Sequence, residues 1–240
     1  MSAITELLRR INDPAGSLTG LLSVIKEEPD HAPRPLASPA PSGDTPPRAT
    51  AQVIDVSDSM GKPDYEPTRL EGAIRAAVDY VNARRRRSSD DRIAVIAFHS
   101  TAEVVLPLTA ITQTKQIIEA LHSLRASGGT DIAQGLKAAA KIFAVEPPSG
   151  HRRHIILLSD GHGGKPLRIA RKLKDEYDVV IDVVGIGGSP DAVNESLLRR
   201  VATTDPDGFC HYRFIKDSAA LSQYYRQLAA GLIWRDKEDD

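Results

Sequence analysis

The spacing of apolar residues divides most of the chain into alternating strands and helices. Continuous apolar runs of strand length occupy residues 51–55, 91–98, 154–159 and 179–187. Runs without polar alternation are typical of strands buried on both faces, as in a parallel sheet. After the first run, apolar residues at helical spacing extend from Leu70 to Val81 and predict an amphipathic helix.

Further elements complete this alternating pattern. Helices are predicted over residues 114–124, 132–143, 166–174, 195–202 and 219–232. Residues 102–107 predict a short antiparallel edge strand that Pro107 ends, and residues 209–215 predict the last strand. The alternation predicts an α/β fold with a doubly wound, mostly parallel central sheet, one antiparallel edge strand and helices on both faces. Ligands of such sheets bind beyond the carboxyl ends of the strands.

The first 48 residues differ in composition from the rest of the chain. Apolar residues at helical spacing indicate two short amphipathic helices within residues 1–28, and seven prolines indicate an extended linker over residues 29–48. The two helices could cover the main domain, dock onto another protein, or stay unfolded. The folded domain is predicted to occupy residues 49–240.

Composition argues against several classes of protein. The 31 Lys and Arg residues against 32 Asp and Glu give a net charge of -1, which is atypical of a generic nucleic-acid binder. No apolar run reaches the roughly 18 residues that a membrane helix needs, and the first residues lack a secretory signal. Cys210 is the one cysteine, which fits a reducing compartment. We expect a cytoplasmic protein without nucleic-acid or membrane partners.

Oxygen-bearing side chains collect just after the predicted strands. Asp55, Ser57 and Ser59 follow the first strand at every second residue. Thr130 follows two glycines at a helix entrance, and Asp160 follows the central strand. Oxygen ligands in this arrangement suit a small hard cation such as Mg²⁺. Asp and Ser also populate ordinary turns, so each residue has an alternative role as a turn or cap residue.

Together these segments resemble the von Willebrand factor A family, whose metal-ion-dependent adhesion site has the pattern Asp-x-Ser-x-Ser, then Thr, then Asp. The resemblance covers roughly residues 50–231. It implies a Rossmann-like fold and a site for Mg²⁺, or for Mn²⁺ or Ca²⁺ in its place. The implied metal-binding residues are Asp55, Ser57, Ser59, Thr130 and Asp160.

The same resemblance implies a protein-interaction module that is not an enzyme. An Asp or Glu side chain from a protein partner would complete the coordination of the metal. The two serines would bind the cation directly, and the carboxylates would bind it directly or through water. Relatives inside cells imply a ring-shaped ATPase or a multiprotein assembly as the class of partner.

Neighbouring residues have ordinary structural alternatives. Asp131 is predicted to cap a helix or to support a metal ligand through a hydrogen bond, rather than to bind the metal itself. Asp58 would either tune the charge near the metal or face solvent, and His99 and His162 would either contact a partner or be solvated loop residues. The basic run at residues 84–87 is predicted to be a solvated helix end, where the macrodipole favours positive charge.

Two other functions fit the same residues. A Mg²⁺-dependent phosphohydrolase would use Ser57 or Ser59 as nucleophile, with His99 or His162 as base. A metal-free scaffold would recruit its partner through the amino-terminal arm. The metal-site prediction also requires that no Lys or Arg head group fill the pocket.

Overall fold

The computed structural model describes residues 47–145 and 150–233. The predicted amino-terminal arm and the linker up to residue 46 lie outside the described residues. The described residues form six strands in chain order: β1 Arg48–Asp55, β2 Arg92–Phe98, β3 Ala102–Ala110, β4 Arg152–Ser159, β5 Val179–Ile186 and β6 Tyr212–Ile215.

In the part of the chain that the structure describes, six α-helices alternate with these strands. They are α1 Arg69–Arg85, α2 Thr114–His122, α3 Ile132–Val145, α4 Leu167–Tyr177, α5 Glu195–Val201 and α6 Ser218–Ala230. Short 3₁₀ turns occupy Asp58–Gly61, Ile111–Gln113 and Pro190–Ala192. Within the described ranges, no helix has the length and apolar character needed to cross a membrane.

The strands form one sheet in the order β3-β2-β1-β4-β5-β6. Strands β1, β2, β4, β5 and β6 pair in parallel, and β3 pairs antiparallel with β2. This arrangement confirms the α/β fold class with one antiparallel edge strand. Since β1 begins at Arg48, the sheet starts one residue inside the range assigned to the linker.

Both faces of the sheet are covered by helices. Ile54 of β1 and Leu158 of β4 pack in a cluster with α1, α2 and α6. Val53 and Leu157, on the opposite face, pack with α3, α4 and α5. Burial on both faces accounts for the continuous apolar runs, because successive side chains of a strand point to opposite faces.

The two edge strands differ from their predicted bounds. Pro107 does not end β3, which continues to Ala110. The pairing with β2 shifts register near Val95, and Pro107 is exposed on the edge, where a missing N–H is tolerated. At the other edge, β6 begins at Tyr212 rather than at residue 209, because Cys210 instead forms an isolated bridge with Thr204.

Arg84 corrects the prediction of a fully solvated basic helix end. Its side chain is buried, its Nε donates to Asp91 Oδ2 at 2.5 Å, and its Nη1 donates to the carbonyl of Ala229 at 3.2 Å. The next three arginines are exposed, as predicted for a solvated end. Arg84 therefore ties the end of α1 to the start of β2 and to α6, a role that spacing alone does not indicate.

A buried acid on β5 holds two histidines. Asp182 Oδ2 lies 2.7 Å from His154 Nε2, and Asp182 Oδ1 lies 3.0 Å from His211 Nδ1. His211 Nε2 lies 3.1 Å from Asp205 Oδ2. Asp182 and His154 are fully buried, so this cluster links β4, β5 and the segment before β6 by interactions shielded from water.

Candidate functional site

Two adjacent parallel strands end at the predicted acidic residues. Strand β1 ends at Asp55, and β4 ends one residue before Asp160. Ile54 pairs with Leu158, so both segments leave the sheet side by side. The strand order reverses between β1 and β4, and in open α/β sheets ligands bind in the crevice at such a point.

A pocket of about 510 Å³ lies beyond these strand ends. It is lined by Ser57, Ser59, Lys62, Arg69, Gly128, Thr130, Asp160, His162 and Ala192. The lining therefore includes four of the five side chains predicted to hold a cation. Asp55, the fifth, is fully buried and is not among the lining residues.

A chain of hydrogen bonds joins Asp55 to Asp160. Asp55 Oδ1 accepts a hydrogen bond from the backbone N–H of Ser57 at 2.9 Å. The hydroxyls of Ser57 and Ser59 are hydrogen-bonded at 3.1 Å, and Ser59 Oγ donates to Asp160 Oδ2 at 2.6 Å. The turn that carries Ser57 and Ser59, here called the serine turn, is thus held against the end of β4 by its own polar groups.

Asp55 is a buried carboxylate beneath the pocket. Burial raises its pKa to about 6, although hydrogen bonds from Ser159 and Ser57 act in the opposite direction. Ser159 Oγ donates to Asp55 Oδ2 at 2.6 Å. Within residues 47–145 and 150–233, Asp55 forms no ion pair. A carboxylate in this environment is stabilised in its charged form by a nearby cation.

Asp58 fastens the glycine loop to the serine turn. Its Oδ1 accepts from the backbone N–H of Gly128 at 3.0 Å, and its own N–H donates to the Gly128 carbonyl at 2.9 Å. Asp58 therefore does more than face solvent, because it positions the segment that carries Thr130. Asp131 accepts from the backbone N–H of Ala133 at 3.0 Å, which agrees with its predicted role as a helix cap.

The loop after β4 packs closely against Thr130. Gly163 has a φ of +111°, and a Cβ added there would lie 2.1 Å from the carbonyl oxygen of Thr130. A side chain at this position would displace Thr130, so glycine is required both for the backbone conformation and for the close approach.

Arg69 lines the pocket but is not among the residues predicted from the sequence. It is 2 % exposed and is the first residue of α1. Its guanidinium donates to both carboxylate oxygens of Asp64, at 2.8 and 2.5 Å, and Nη1 lies 3.4 Å from Asp160 Oδ2. One available signal was a cation in the first turn of a helix, where the macrodipole disfavours positive charge.

The position of Arg69 bears on the requirement that no basic head group fill the pocket. The guanidinium forms part of the wall, with its two shortest contacts to Asp64, and the pocket beside it remains open. Lys62 also lines the pocket. The site therefore contains a fixed positive charge next to Asp160, one of the predicted ligands.

The side chains of the pocket fit a hard divalent cation. Their donors are hydroxyl and carboxylate oxygens, which Mg²⁺ prefers, and the buried Asp55 lies directly behind them. In the described part of the chain, no group of three or more His, Cys, Asp or Glu side chains is arranged to hold a metal. A cation at this pocket would therefore depend on the hydroxyls of Ser57, Ser59 and Thr130.

The two histidines near the site contact backbone groups. His162 lines the pocket, and its Nε2 lies 3.0 Å from the carbonyl oxygen of Ala192. His99 Nδ1 accepts from the backbone N–H of Thr101 at 3.3 Å. These contacts fix the loops around the site.

The site lies in a segment that matches a known domain family. Residues 50–162, which include all five predicted metal-binding residues, match the family model of the von Willebrand factor type A domain. A solved von Willebrand factor type A structure from Catenulispora acidiphila superposes with a TM-score of 0.63 and 24 % identity, covering 80 % of this chain and 44 % of that chain. The structural likeness at this identity shows the fold.

Curated relatives extend the similarity across much of the sequence. An uncharacterized protein of Synechocystis sp. is 28 % identical over 198 residues, which cover 80 % of this chain and 44 % of the relative. The 26S proteasome non-ATPase regulatory subunit 4 of Caenorhabditis elegans is 22 % identical over 144 residues, covering 58 % of this chain and 41 % of the relative. The chain thus spans less than half the length of these two relatives.

Proposed function

Because residues 50–162 match the family model of the von Willebrand factor type A domain, we propose that this chain is a protein-interaction module whose pocket binds a divalent cation. Mg²⁺ is the expected ion, with Mn²⁺ or Ca²⁺ as substitutes. The bound cation would attract an Asp or Glu side chain of a protein partner. The activity is binding, without a chemical step.

Each residue of the pocket has a distinct part in this proposal. Ser57, Ser59 and Thr130 would offer neutral oxygens to the cation, and Asp160 would offer a carboxylate, directly or through water. Asp55 would add negative charge from behind while it orients Ser57. A cation held largely by neutral oxygens keeps much of its positive charge, which favours an anionic ligand from outside.

One observation carries the proposal. The hydroxyls of Ser57 and Ser59 form a single hydrogen-bonded cluster with Asp160, in an open pocket at the point where the strand order reverses. Residues 101 positions apart in the chain are thereby joined around a set of oxygen donors. The match of the surrounding segment to the family supports the same conclusion.

The class of partner is also proposed by similarity. One relative is a regulatory subunit of the 26S proteasome, a multiprotein assembly. We propose that the partner of this chain is likewise part of a multiprotein assembly inside the cell, with a ring-shaped ATPase as one candidate. The phosphohydrolase alternative gains no support from the site, since the serine hydroxyls bond each other and Asp160 rather than His99 or His162.

A peptide selection tests the proposed binding activity. A library of random displayed peptides is selected on the full chain in Mg²⁺ and counter-selected in chelator. The enriched peptides should contain Asp or Glu, and their binding should be lost with chelator, with Asp55→Ala, or when the acid is replaced by its amide. Peptides that bind equally with chelator, or that lack an acid, would overturn the metal-bridge proposal.

A further inference from the structure

The positive charge of Arg69 lies in a position that is unfavourable for two reasons. Its side chain is 3 % exposed, and burial of a charge is costly unless it is well paired. It is also the first residue of α1, where the helix macrodipole repels cations. The groups that bind the Arg69 guanidinium must offset both of these costs. Their identity therefore indicates the function of the positive charge.

The Arg69 guanidinium contacts two carboxylates, Asp64 outside the pocket lining and Asp160 within it. Asp64 takes two hydrogen bonds from the guanidinium, and its Oδ2 also accepts from the backbone N–H of Gly188 at 3.2 Å. The remaining contact, from Nη1, reaches Asp160 Oδ2 at 3.4 Å. That same oxygen accepts the hydrogen bond of Ser59.

Asp160 therefore has a cation beside it without any metal ion. Within residues 47–145 and 150–233, the ion pair formed by Asp160 is the one with Arg69. The contact is longer than a good charge-assisted hydrogen bond, which measures about 2.7–2.9 Å. Asp64 holds the guanidinium back from a closer approach, because it takes the two shorter bonds.

From this geometry, and resting on the proposed metal site, we propose that Arg69 is a built-in counter-ion that assembles the metal-free pocket and competes with the divalent cation. Asp64 sets the strength of this competition, because its two hydrogen bonds to the guanidinium keep that group from moving closer to Asp160. Arg69 is thus a positioning residue that tunes affinity for the metal, and it does not contact the partner.

The proposal predicts opposite effects for the two members of the pair. Arg69→Gln removes the competing charge, so the affinity for Mn²⁺ should rise by about tenfold or more. Asp64→Asn frees the guanidinium to turn to Asp160, so the affinity should fall by at least about threefold. Arg69→Lys keeps the positive charge, so its affinity for Mn²⁺ should stay below that of Arg69→Gln.

Titration of the full chain with Mn²⁺, followed by the loss of the electron paramagnetic resonance signal of free Mn²⁺, measures these affinities. Arg168→Gln, an exposed charge on α4, is the matched control and should change nothing. Thermal unfolding in chelator gives an independent readout. Arg69→Gln should melt lower than the wild type without metal and should regain most of the difference in saturating Mn²⁺.

The outcomes separate this inference from the proposed function. Equal or weaker Mn²⁺ affinity in Arg69→Gln, with binding intact in the wild type, would overturn the counter-ion role alone. Binding by Arg69→Gln but not by the wild type would support it in its strongest form. Absence of Mn²⁺ binding in every variant would overturn the metal site itself.

Discussion

Replacing Gly163 with Ala should weaken cation binding at the proposed site while leaving the fold intact. The added Cβ would lie 2.1 Å from the Thr130 carbonyl oxygen, in a backbone conformation with φ +111°. Restoring an ordinary carbon–oxygen separation of about 3.3 Å requires the two segments to part by about 1.2 Å. Metal–oxygen distances for Mg²⁺ are about 2.0–2.1 Å, so a shift of that size removes Thr130 as a ligand.

Gly208→Ala is the matched control for this variant. Gly208 also has a positive φ, +88°, but a Cβ there would meet no atom within 4 Å. Both variants should lose about 1–3 kcal/mol of stability from backbone strain, measured by urea unfolding. Only Gly163→Ala should also lose Mn²⁺ affinity, by about 10- to 100-fold. Equal affinity in the two variants would refute the assignment of Thr130 to the site.

Two further predictions concern the buried acid of β5, and one concerns the serine turn. Asp182→Asn leaves two buried histidines without their shared carboxylate, so the free energy of unfolding in urea should fall by about 3–5 kcal/mol; a loss below about 1 kcal/mol would contradict the importance of the pair. The same cluster makes stability depend on pH. Burial lowers the pKa of His211, but the hydrogen bond and charge of Asp182 outweigh burial and raise it above its ordinary 6.5. This stabilisation is complete below pH 6.5 and is lost as pH rises through the folded pKa. Burial raises the pKa of Asp182, but its two histidine hydrogen bonds outweigh this and lower it below 3.8, so its stabilisation is present above pH 3.8 and lost as pH falls through the folded pKa. His211→Gln should therefore weaken the alkaline decline in melting temperature, and an unchanged pH profile would count against the assigned charge states. Finally, Asp58→Ala removes the acceptor of the Gly128 N–H and should weaken Mn²⁺ binding about tenfold. Asp90→Ala, which changes an exposed residue, is the control. Equal affinities in the two variants would show that the hydrogen bond between Asp58 and Gly128 is not needed for metal binding.

The central strands could be predicted well because burial on both faces leaves a clear pattern. Apolar runs identified β1, β2, β4 and β5, and the ends of β1 and β4 indicated where ligands bind. The edge strands were placed less well, since an exposed face weakens the pattern. Pro107 lies inside β3, where only the position of the strand at the edge makes it tolerable.

The site could be predicted only in part, for a similar physical reason. Serine, threonine and aspartate at strand ends are a local pattern, and four of the five predicted residues, Ser57, Ser59, Thr130 and Asp160, line one pocket. The fifth, Asp55, is buried and is not part of the lining. The role of Arg69 depends on the proximity of α1 to the end of β4. Contacts of that kind are set by tertiary packing and have no signature in the spacing of residues.

Calorimetric titration of Mg²⁺ into the full chain tests the central claim most directly. The wild type should bind one equivalent, and Asp160→Asn, which removes the carboxylate that lines the pocket, should lose the heat of binding while it stays folded. No binding by the folded wild type, or binding that Asp160→Asn leaves unchanged, would contradict the claim that this pocket holds a metal ion.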